Sequence, residues 1–508
     1  MSSGGRSPRY VLTLDEGTSS ARAVLIDPDG RIVSEARRPV VPVFPHPGWV
    51  ELDPVRVWES QREAMLEAMS RARATARDVV AIGITTSRET VLIWDRRTGE
   101  PVYRAISWMS NQTEPIVRRW REAGWDDDIR ARTGVYNNPF FSASKLTWLL
   151  ENVPGVRERA ERGELAAGTL DTWLLWQLTG GRSHRTDHSE ASRTELFALD
   201  TLDWETDLCA RAGVPRSLLP EAVPSDAAFG ETDPAVFGDL ADGVRGVPVT
   251  AVLGDQQAGM FGQACFEPGS AKNTYGTAGV LTVNSGDTPR LVDGQVASVA
   301  WTVSGRTAYE VEGTVFSSGQ TLGWLRDRMK IFSGGPDMGD EIERLARLAD
   351  DNGGVYFVPA FNGLGSPYWD RRASATISGL TLESGAEHVV RAAVEAMAYQ
   401  TRDNIDRLRA AGLTVSSLKV DGGAAGNDLL CQFQADVCGI PVLRASQREM
   451  TALGVGYLAG IGVGVWKSPD DLARSWTADR VFEPGPASER ADELYDGWCR
   501  AVQAVRTA

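Results

Sequence analysis

The sequence predicts an α/β fold built from two related domains, and three short stretches carry that prediction. Residues 10–27 form two apolar strand-like runs around the polar turn DEGTSS, because β-branched and aliphatic residues favour strands. Residues 271–284 repeat the order of strand, Gly-Thr turn and strand. A third glycine turn, at 421–427, leads into a predicted helix that begins at Asp428.

The first turn has the chemistry of an anion-binding loop. Gly17 allows a sharp turn and a close approach to a ligand, and the backbone N–H groups and three hydroxyls beside it can hold an anionic oxygen. Asp15 ends the preceding strand, where it could hold a metal-bound water near a phosphate. Taken alone, the turn is equally compatible with an ordinary hairpin. Its recurrence in the second half favours two phosphate loops, the layout of actin-like (ribonuclease H-like) ATPase domains with a nucleotide cleft between them.

Composition excludes several classes of function. The chain has 508 residues and a net charge of −15, from 53 basic and 68 acidic residues, whereas a nucleic-acid-binding protein needs a basic surface. An apolar run of the length that spans a bilayer is missing from the sequence. The first nine residues lack an apolar segment and predict a disordered lead-in rather than a secretory signal. Five cysteines without a close pair predict buried free thiols in a reducing cytoplasm.

Arg88 and Glu89 form the first candidate substrate site. They follow the apolar run Val79–Ile84, which is typical of a buried strand, and ligands bind at the carboxyl edge of such sheets. A guanidinium donates to hydroxyl oxygens and a carboxylate accepts from hydroxyl protons, so the pair suits a vicinal diol. An exposed surface ion pair is the alternative.

Asp255 follows a second predicted buried strand, at 247–253, and precedes a predicted helix. An aspartate in that position either caps the helix or faces the cleft. In the cleft it could take the proton of an attacking hydroxyl during phosphoryl transfer.

A family is recognisable from six motifs in a shared order between Tyr10 and Trp466. The motifs are Leu14–Thr18, Gly83–Thr90, Gly254–Gln257, Asn273–Thr277, Gly363–Trp369 and Asp421–Gly423. The chain resembles the FGGY carbohydrate kinases, and within them the glycerol kinases. The resemblance implies an N-terminal domain at 10–262 with the first phosphate loop and the polyol site. It implies a C-terminal domain at 268–508 with the second phosphate loop and the adenosine site.

The resemblance also implies roles for individual residues. Asp255 would be the catalytic base, and Asp15 would hold Mg²⁺ through water, with Asp255 as a second candidate ligand. The implied substrate-binding residues are Arg88, Glu89, Trp108, Phe140, Asp255, Gln256 and Val280. The implied ATP-binding residues are Thr18, Ser19, Ser20, Arg22, Thr277, Gly319, Gly423 and Asn427. Residues 187–193 resemble a stretch that frames the cleft in relatives.

Two positions depart from the pattern of glycerol kinases inside the pocket itself. Phe140 stands where a tyrosine hydroxyl usually meets the substrate, and Val280 stands where phenylalanine is common. Both changes predict a roomier and less polar pocket.

These observations predict ATP-dependent phosphorylation of a terminal hydroxyl of a small polyol, first of all glycerol to glycerol 3-phosphate. One alternative is a kinase for another polyol or a sugar, such as a tetritol or a pentulose. An alternative of another class is a non-enzymatic actin-like nucleotide switch. We expect a cytoplasmic homo-oligomer that neither binds nucleic acid nor inserts into membranes.

Overall fold

The computed structural model describes residues 9–333, 338–447 and 449–506, so residues 1–8 of the predicted lead-in lie outside the described residues. The first half of the chain mixes strands and helices. In chain order its elements are β1 (Tyr10–Glu16), β2 (Ser20–Ile26), β3 (Ile32–Pro39), β4 (Glu51–Leu52), α1 (Pro54–Arg71), β5 (Val79–Thr86), β6 (Val91–Asp95), β7 (Ala105–Ile106), α2 (Glu114–Glu122), α3 (Asp126–Thr133), α4 (Ala143–Asn152), α5 (Val156–Glu161), β8 (Leu165–Thr169), α6 (Leu170–Leu178), β9 (Arg185–Asp187), α7 (His188–Ala191), β10 (Phe197–Ala198), β11 (Asp203–Trp204), α8 (Thr206–Arg211), β12 (Glu221–Val223), β13 (Gly230–Glu231), β14 (Pro248–Gly254) and α9 (Asp255–Gly262).

The second half also mixes strands and helices. Its elements are β15 (Ala271–Tyr275), β16 (Gly279–Gly286), β17 (Val296–Val303), β18 (Arg306–Val315), α10 (Gly319–Asp327), α11 (Met338–Ala346), β19 (Tyr356–Val358), β20 (Thr376–Ser378), α12 (Ala386–Ala410), β21 (Leu418–Asp421), α13 (Asp428–Cys438), β22 (Val442–Ala445), α14 (Met450–Gly462), α15 (Pro469–Ser475), β23 (Ala478–Phe482) and α16 (Ala491–Val505). Short 3₁₀ helices lie at Ala76–Asp78, Arg216–Leu218, Pro234–Ala241, Gly423–Gly426 and Pro486–Arg490.

The two large sheets share one arrangement. The six-stranded sheet has the order β13-β14-β5-β1-β2-β3, and the seven-stranded sheet has the order β17-β18-β16-β15-β21-β22-β23. In each, the first hairpin strand pairs antiparallel with its partner and parallel with a later strand, β1 with β5 and β15 with β21. This repeated core confirms the predicted pair of actin-like α/β domains.

The first sheet brings three site-bearing chain segments to one edge. Strands β1, β5 and β14 run parallel in it, so their carboxyl ends meet at the same side. Asp15 lies at the end of β1, Arg88 follows β5, and Asp255 follows β14. The apolar residues of these strands are almost fully buried, and hydrophobic burial therefore holds the polar strand ends at this edge of the sheet.

A helix from the second half that is rich in small residues packs tightly against the first half. Helix α14 crosses α9, and a Cβ added at Gly454 would lie 1.9 Å from the carbonyl oxygen of Ala258. Thr13 in β1 donates through Oγ1 to the carbonyl of Ala452 at 3.1 Å. Any larger residue at Gly454 would force the two helices apart.

Two expectations from composition concern membrane spans and cysteines. Among the described residues, no helix is long and apolar enough to cross a bilayer. The five cysteines are free, but only four are buried, and Cys499 is exposed on α16. The expectation of buried thiols is therefore wrong for Cys499, because the amphipathic helix α16 turns that position toward solvent.

Candidate active site

The first predicted phosphate loop connects β1 to β2. The backbone N–H of Gly17 donates to the carbonyl of Ser20 at 3.0 Å and closes the turn. Ser19 is exposed, while Thr18 and Ser20 are half-buried. Asp15 is buried at the base of this loop. The loop therefore presents hydroxyls and backbone donors to solvent above a carboxylate.

Arg22 lies beside this loop but is already engaged in ion pairs. Its guanidinium contacts the carboxylates of Asp15 and Glu449, and its side chain is largely buried. Glu449 directly precedes α14, so the ion pair joins the loop to the helix that crosses the seam. Arg22 thus neutralises Asp15 in the present arrangement, and a phosphate contact by Arg22 stays a prediction.

The second predicted phosphate loop connects β15 to β16 and is tied to the start of α10. Thr277 is exposed at its tip, and its carbonyl accepts from the backbone N–H of Ser318 at 3.0 Å. The backbone N–H of Gly319 donates to the carbonyl of Gly276 at 3.0 Å. A Cβ on Gly319 would lie 2.7 Å from that carbonyl oxygen, so the close approach of loop and helix requires glycine.

The start of α10 fits an anionic group. A helix N-terminus carries a partial positive charge that favours phosphate, although here the first backbone N–H groups already donate to the carbonyls of Gly276 and Thr277. Around the first turn, the buried hydroxyls of Ser317, Ser318 and Thr321 have no hydrogen-bond partner within the part of the chain that the structure describes. Buried polar groups are normally satisfied, so these hydroxyls are candidates for hydrogen bonds to a bound group.

The third glycine turn lies between β21 and α13. Gly423 is exposed, and a Cβ built on it meets no atom within 4 Å, so its backbone borders open space. Asn427 is nearly buried, and its Oδ1 accepts from the backbone N–H of Leu430 at 3.0 Å. Asn427 therefore caps α13, and its predicted contact with the nucleoside stays a prediction alongside that structural role.

Arg88 and Glu89, the predicted substrate-binding pair, are both buried. Nη1 of Arg88 donates to Oε2 of Glu312 at 2.6 Å, and Nε of Arg88 lies 3.1 Å from Oδ1 of Asp255. Glu89 adopts a φ of +66°, which is uncommon for a residue with a side chain. The structure thus excludes the alternative of an exposed surface pair and brings Arg88 and Asp255 together.

Glu89 belongs to a chain of buried charges. Nε of Arg193 donates to Oε1 of Glu89 at 2.7 Å, and Nη2 of Arg193 donates to Oε1 of Glu312 at 2.9 Å. Burial raises the pKa of Glu89, while the charges of Arg193 and Arg88 oppose that rise. The order Glu89, Arg193, Glu312, Arg88 and Asp255 alternates in sign, which compensates the desolvation of each member.

Asp255 is the first residue of α9, and 28% of its side chain is exposed. Burial raises its pKa above the ordinary value of 3.8, and the positive charges of Arg88 and Lys272 oppose that effect. The negative charge of Asp15 raises the pKa of Asp255 further. The charges of the two candidate metal ligands therefore interact. A partly exposed carboxylate with a perturbed pKa beside a cation is typical of a functional site.

Gln256 follows Asp255 but is held by a lysine. Nζ of Lys272 donates to Oε1 of Gln256 at 2.6 Å and to Oγ1 of Thr274 at 2.9 Å. Because Lys272 occupies the amide oxygen of Gln256, a substrate hydroxyl would have to bind the amide nitrogen.

Trp108 and Phe140 form an apolar wall of the candidate polyol site. Their rings contact edge to face, with centroids 5.6 Å apart. Val280 is nearly buried on β16 and lies opposite Thr314 of β18. Residues opposite each other in an antiparallel pair share a face, and Thr314 donates to Glu312 at 2.8 Å. Val280 therefore lies on the face of the second sheet that carries the buried charges.

Sequence reasoning missed Glu312, Arg193 and Lys145 as individual site residues. The pattern EVEGTV in β18 places charged residues at alternate positions of an otherwise apolar strand, and that signal could have pointed to Glu312. Arg193 lies in the stretch 187–193 that was expected to frame the cleft. Lys145 has no local signal, although its Nζ donates to the carbonyls of Glu89 and Phe140 at 3.0 and 2.6 Å.

Comparison with known proteins decides the family. The family model for the N-terminal domain of FGGY carbohydrate kinases matches residues 10–262, and the model for the C-terminal domain matches residues 271–463. The chain belongs to the FGGY family of carbohydrate kinases. It is therefore a phosphotransferase, which confirms the prediction of an enzyme and excludes the non-enzymatic nucleotide switch.

Individual relatives agree with this family. A glycerol kinase of Symbiobacterium thermophilum is 47% identical over 501 residues, which is 98% of each chain. A crystal structure of Plasmodium falciparum glycerol kinase with ADP superposes with a TM-score of 0.90 at 31% identity and covers 99% of both chains. A xylulose kinase of Rhodospirillum rubrum reaches a TM-score of 0.85 at 26% identity over 98% of this chain and 99% of that chain. These matches confirm the resemblance and the fold class.

Proposed function

We propose that this FGGY kinase transfers the γ-phosphoryl group of ATP to a terminal hydroxyl of glycerol and so produces glycerol 3-phosphate. The observation that carries the proposal is the buried Arg88 guanidinium, whose Nε lies 3.1 Å from the carboxylate of Asp255. That contact supports the proposal, because a cation that would bind hydroxyls then lies beside a candidate base at the carboxyl edge of the first sheet. The glycerol kinases named above, one of them solved with ADP, support both the polyol and the nucleotide.

Arg88 and Glu89 would hold two hydroxyls of the substrate. A guanidinium only donates hydrogen bonds, whereas an ionised carboxylate only accepts them, so the pair fits adjacent hydroxyls. The edge-to-face rings of Trp108 and Phe140 would cover the carbon chain. This arrangement would orient the third hydroxyl, at the end of the chain, toward Asp255.

Asp255 would act as the general base. Its carboxylate would accept the proton of the terminal hydroxyl as that oxygen attacks phosphorus in line. Arg88 would keep the carboxylate oriented and would hold down the rise in pKa that burial causes. A base must be unprotonated at the operating pH, so this opposition by Arg88 serves the reaction.

The phosphates would lie between the two hairpin loops. Thr18, Ser19, Ser20 and Arg22 would contact them from the first domain, and Thr277 and Gly319 from the second. Gly423 and Asn427 would border the adenosine. Mg²⁺ prefers oxygen ligands and keeps several waters, and the carboxylates of Asp15 and Asp255 fit that preference through bound water. When bound, the ion would neutralise charge on the transferred group.

A kinase for a longer polyol or a sugar is the second candidate, and Phe140 and Val280 favour it. Phe140 offers no hydroxyl to a substrate, and its backbone carbonyl is held by Lys145. Losing one neutral hydrogen bond costs about 0.5–1.5 kcal/mol, which a larger substrate could recover through additional hydroxyls. Val280 is smaller than the phenylalanine expected there and leaves room for additional carbons.

The deciding experiment measures ADP release with glycerol, erythritol, ribitol, xylitol, dihydroxyacetone and several pentuloses. Highest kcat/KM on glycerol supports the proposal, whereas highest kcat/KM on a longer polyol or a pentulose supports the second candidate. Asp255→Asn is the control, because loss of a general base lowers turnover by about 10²- to 10⁴-fold without removing an ATP contact. If Asp255→Asn turns over as fast as the wild-type protein, Asp255 is not the base.

The assembly state and location belong to the proposal as well. We propose that the protein acts in the cytoplasm as a homo-oligomer. Light scattering coupled to size-exclusion chromatography measures the assembly directly. A mass of 55.0 kDa, that of one chain, would contradict the homo-oligomer.

A further inference from the structure

Glu312 reaches the candidate polyol site from the other half of the protein. It lies on β18, within the residues that match the C-terminal family model, whereas Arg88, Glu89 and Arg193 lie within those that match the N-terminal one. The side chain of Glu312 is fully buried. A carboxylate of the second domain is therefore inserted into the charge cluster of the first.

Both oxygens of Glu312 are occupied. Oε2 accepts from Nη1 of Arg88 at 2.6 Å, and Oε1 accepts from Nη2 of Arg193 at 2.9 Å and from Oγ1 of Thr314 at 2.8 Å. Hydrogen bonds between charged groups are shorter and stronger than neutral ones. These bonds tie two guanidiniums to one side chain.

The electrostatics agree with this geometry. Burial alone would raise the pKa of Glu312, but the charges of Arg193 and Arg88 lower it below its ordinary value of 4.5. Glu312 is therefore ionised at neutral pH. Its neighbour Glu310 has the opposite shift, because burial and the charge of Glu312 raise the pKa of Glu310.

The hydrogen bonds of Glu312 restrict the orientation of both members of the proposed substrate-binding pair. Arg88 is fixed at Nη1 by Glu312 and bordered at Nε by Asp255, which leaves its orientation little freedom. Arg193 is fixed by Glu312 at Nη2 and holds Oε1 of Glu89 through Nε. One carboxylate thus constrains both members of the pair that would grip the polyol.

We propose that Glu312 is a positioning residue for the polyol site, which holds Arg88 directly and Glu89 through Arg193. The inference rests on the proposed function, since it assumes that Arg88 and Glu89 bind the substrate. It adds that polyol affinity depends on a side chain that the second domain supplies. Glu312 itself would touch neither the polyol nor the nucleotide, because both of its oxygens are already occupied.

The test compares Glu312→Gln with Glu310→Gln. Glu310 is a matched control, because it lies two residues away on the same face of β18, is equally buried, and stays 4.0 Å from Nη1 of Arg88. The substrate is the member of the panel above with the highest kcat/KM for the wild-type protein. If wild type phosphorylates no member of the panel, the proposed function fails before any variant is measured.

Glu312→Gln should raise KM for the polyol about 10- to 100-fold, as expected when a charged hydrogen bond is lost. KM for ATP should change less than about threefold, a small free-energy difference. Calorimetric titration of the polyol without ATP should show the same loss of affinity. Glu310→Gln should raise the polyol KM much less than Glu312→Gln does.

A merely structural role of Glu312 predicts a different result. Equal increases in KM for polyol and ATP, or a lower kcat with both KM values unchanged, would overturn the proposal, as would equal effects of the two variants. Should Glu312→Gln fail to fold, Glu312→Asp keeps the charge but shortens its reach to the two guanidiniums. An unchanged polyol KM in a folded Glu312→Asp variant would also overturn it.

Discussion

Nε1 of Trp108 lies 3.1 Å from Oγ1 of Thr18 and donates a hydrogen bond to it. The indole belongs to the apolar wall of the proposed polyol site, while the threonine belongs to the first phosphate loop. One hydrogen bond between side chains thus links the proposed polyol site to the proposed phosphate site. The contact predicts that a substitution in the apolar wall also alters how the first phosphate loop binds the phosphates.

Trp108→Phe keeps an aromatic wall but removes the indole donor. We expect kcat/KM to fall about 2- to 10-fold, because a neutral hydrogen bond contributes about 0.5–1.5 kcal/mol. Thr18→Val should cause a larger loss, since Thr18 would also contact phosphate. Residues in contact show non-additive effects, so the double variant should be less impaired than the sum of the single variants in free energy. Strict additivity in steady-state kinetics would contradict the coupling.

The pH profile of the enzyme should report Asp255. Its pKa is raised above the ordinary 3.8 by burial, and Arg88 and Lys272 oppose the rise. Only the unprotonated carboxylate accepts a proton, so kcat should fall as the pH drops through this raised pKa. The acid limb should therefore lie at a higher pH than an ordinary aspartate produces. Asp255→Asn should lose this limb, and an unchanged limb in that variant would assign it to another group.

Lys145 should make the free energy of unfolding depend on pH between about 7 and 10.5. Burial lowers the pKa of Lys145 from 10.5 to about 7, so between these values the unfolded chain binds a proton that the folded protein does not. The contribution of Lys145 to the free energy of unfolding therefore rises with pH across this window, by up to about 1.4 kcal/mol per pH unit. Lys145→Met should lack this contribution.

Urea unfolding of wild type and Lys145→Met at pH 7, 8.5 and 10 measures the difference. Other groups titrate equally in both proteins, so the difference between their free energies of unfolding at each pH reports Lys145 alone. A constant difference across these pH values would contradict the lowered pKa. Loss of the bond from Nζ to the carbonyl of Phe140 should add a destabilisation that does not depend on pH.

Phe140→Tyr tests the missing hydroxyl in the wall of the pocket. If glycerol is the substrate, the added hydroxyl should improve kcat/KM for glycerol about 2- to 10-fold, the value of one neutral hydrogen bond. Phe140→Leu is the control, since it alters the packing by removing the ring and adds no hydroxyl. An equal response of the two variants would show that packing rather than a hydrogen bond decides the result.

Val280→Phe tests the space on the second sheet. The larger ring should reduce kcat/KM for erythritol and the pentuloses more than for glycerol, because it would fill the room that valine is proposed to leave for additional carbons. The measurement is the ratio of kcat/KM values between glycerol and erythritol. A ratio unchanged from wild type would place Val280 outside the part of the pocket that holds the additional carbons.

The sequence alone determined the fold and the order of the site segments. The hairpin turns at 15–20 and 275–279 are local patterns of strand residues and glycine, and such patterns act within a few residues. Asp255 and Arg88 follow apolar runs of strand length, so hydrophobic burial of those runs predicts that both residues end at one sheet edge. The family motifs lie in these same local stretches.

Which charges are paired depends on how the two halves of the protein pack. Glu312 bonds to Arg88 across 224 positions of the chain, and Arg22 is paired with Glu449 from the start of α14. These contacts arise where the two halves pack, and the strength of an ion pair depends on burial and separation. Neither quantity is encoded in the spacing of residues along one strand, so local patterns predicted the site segments while the packing of the halves decided their partners.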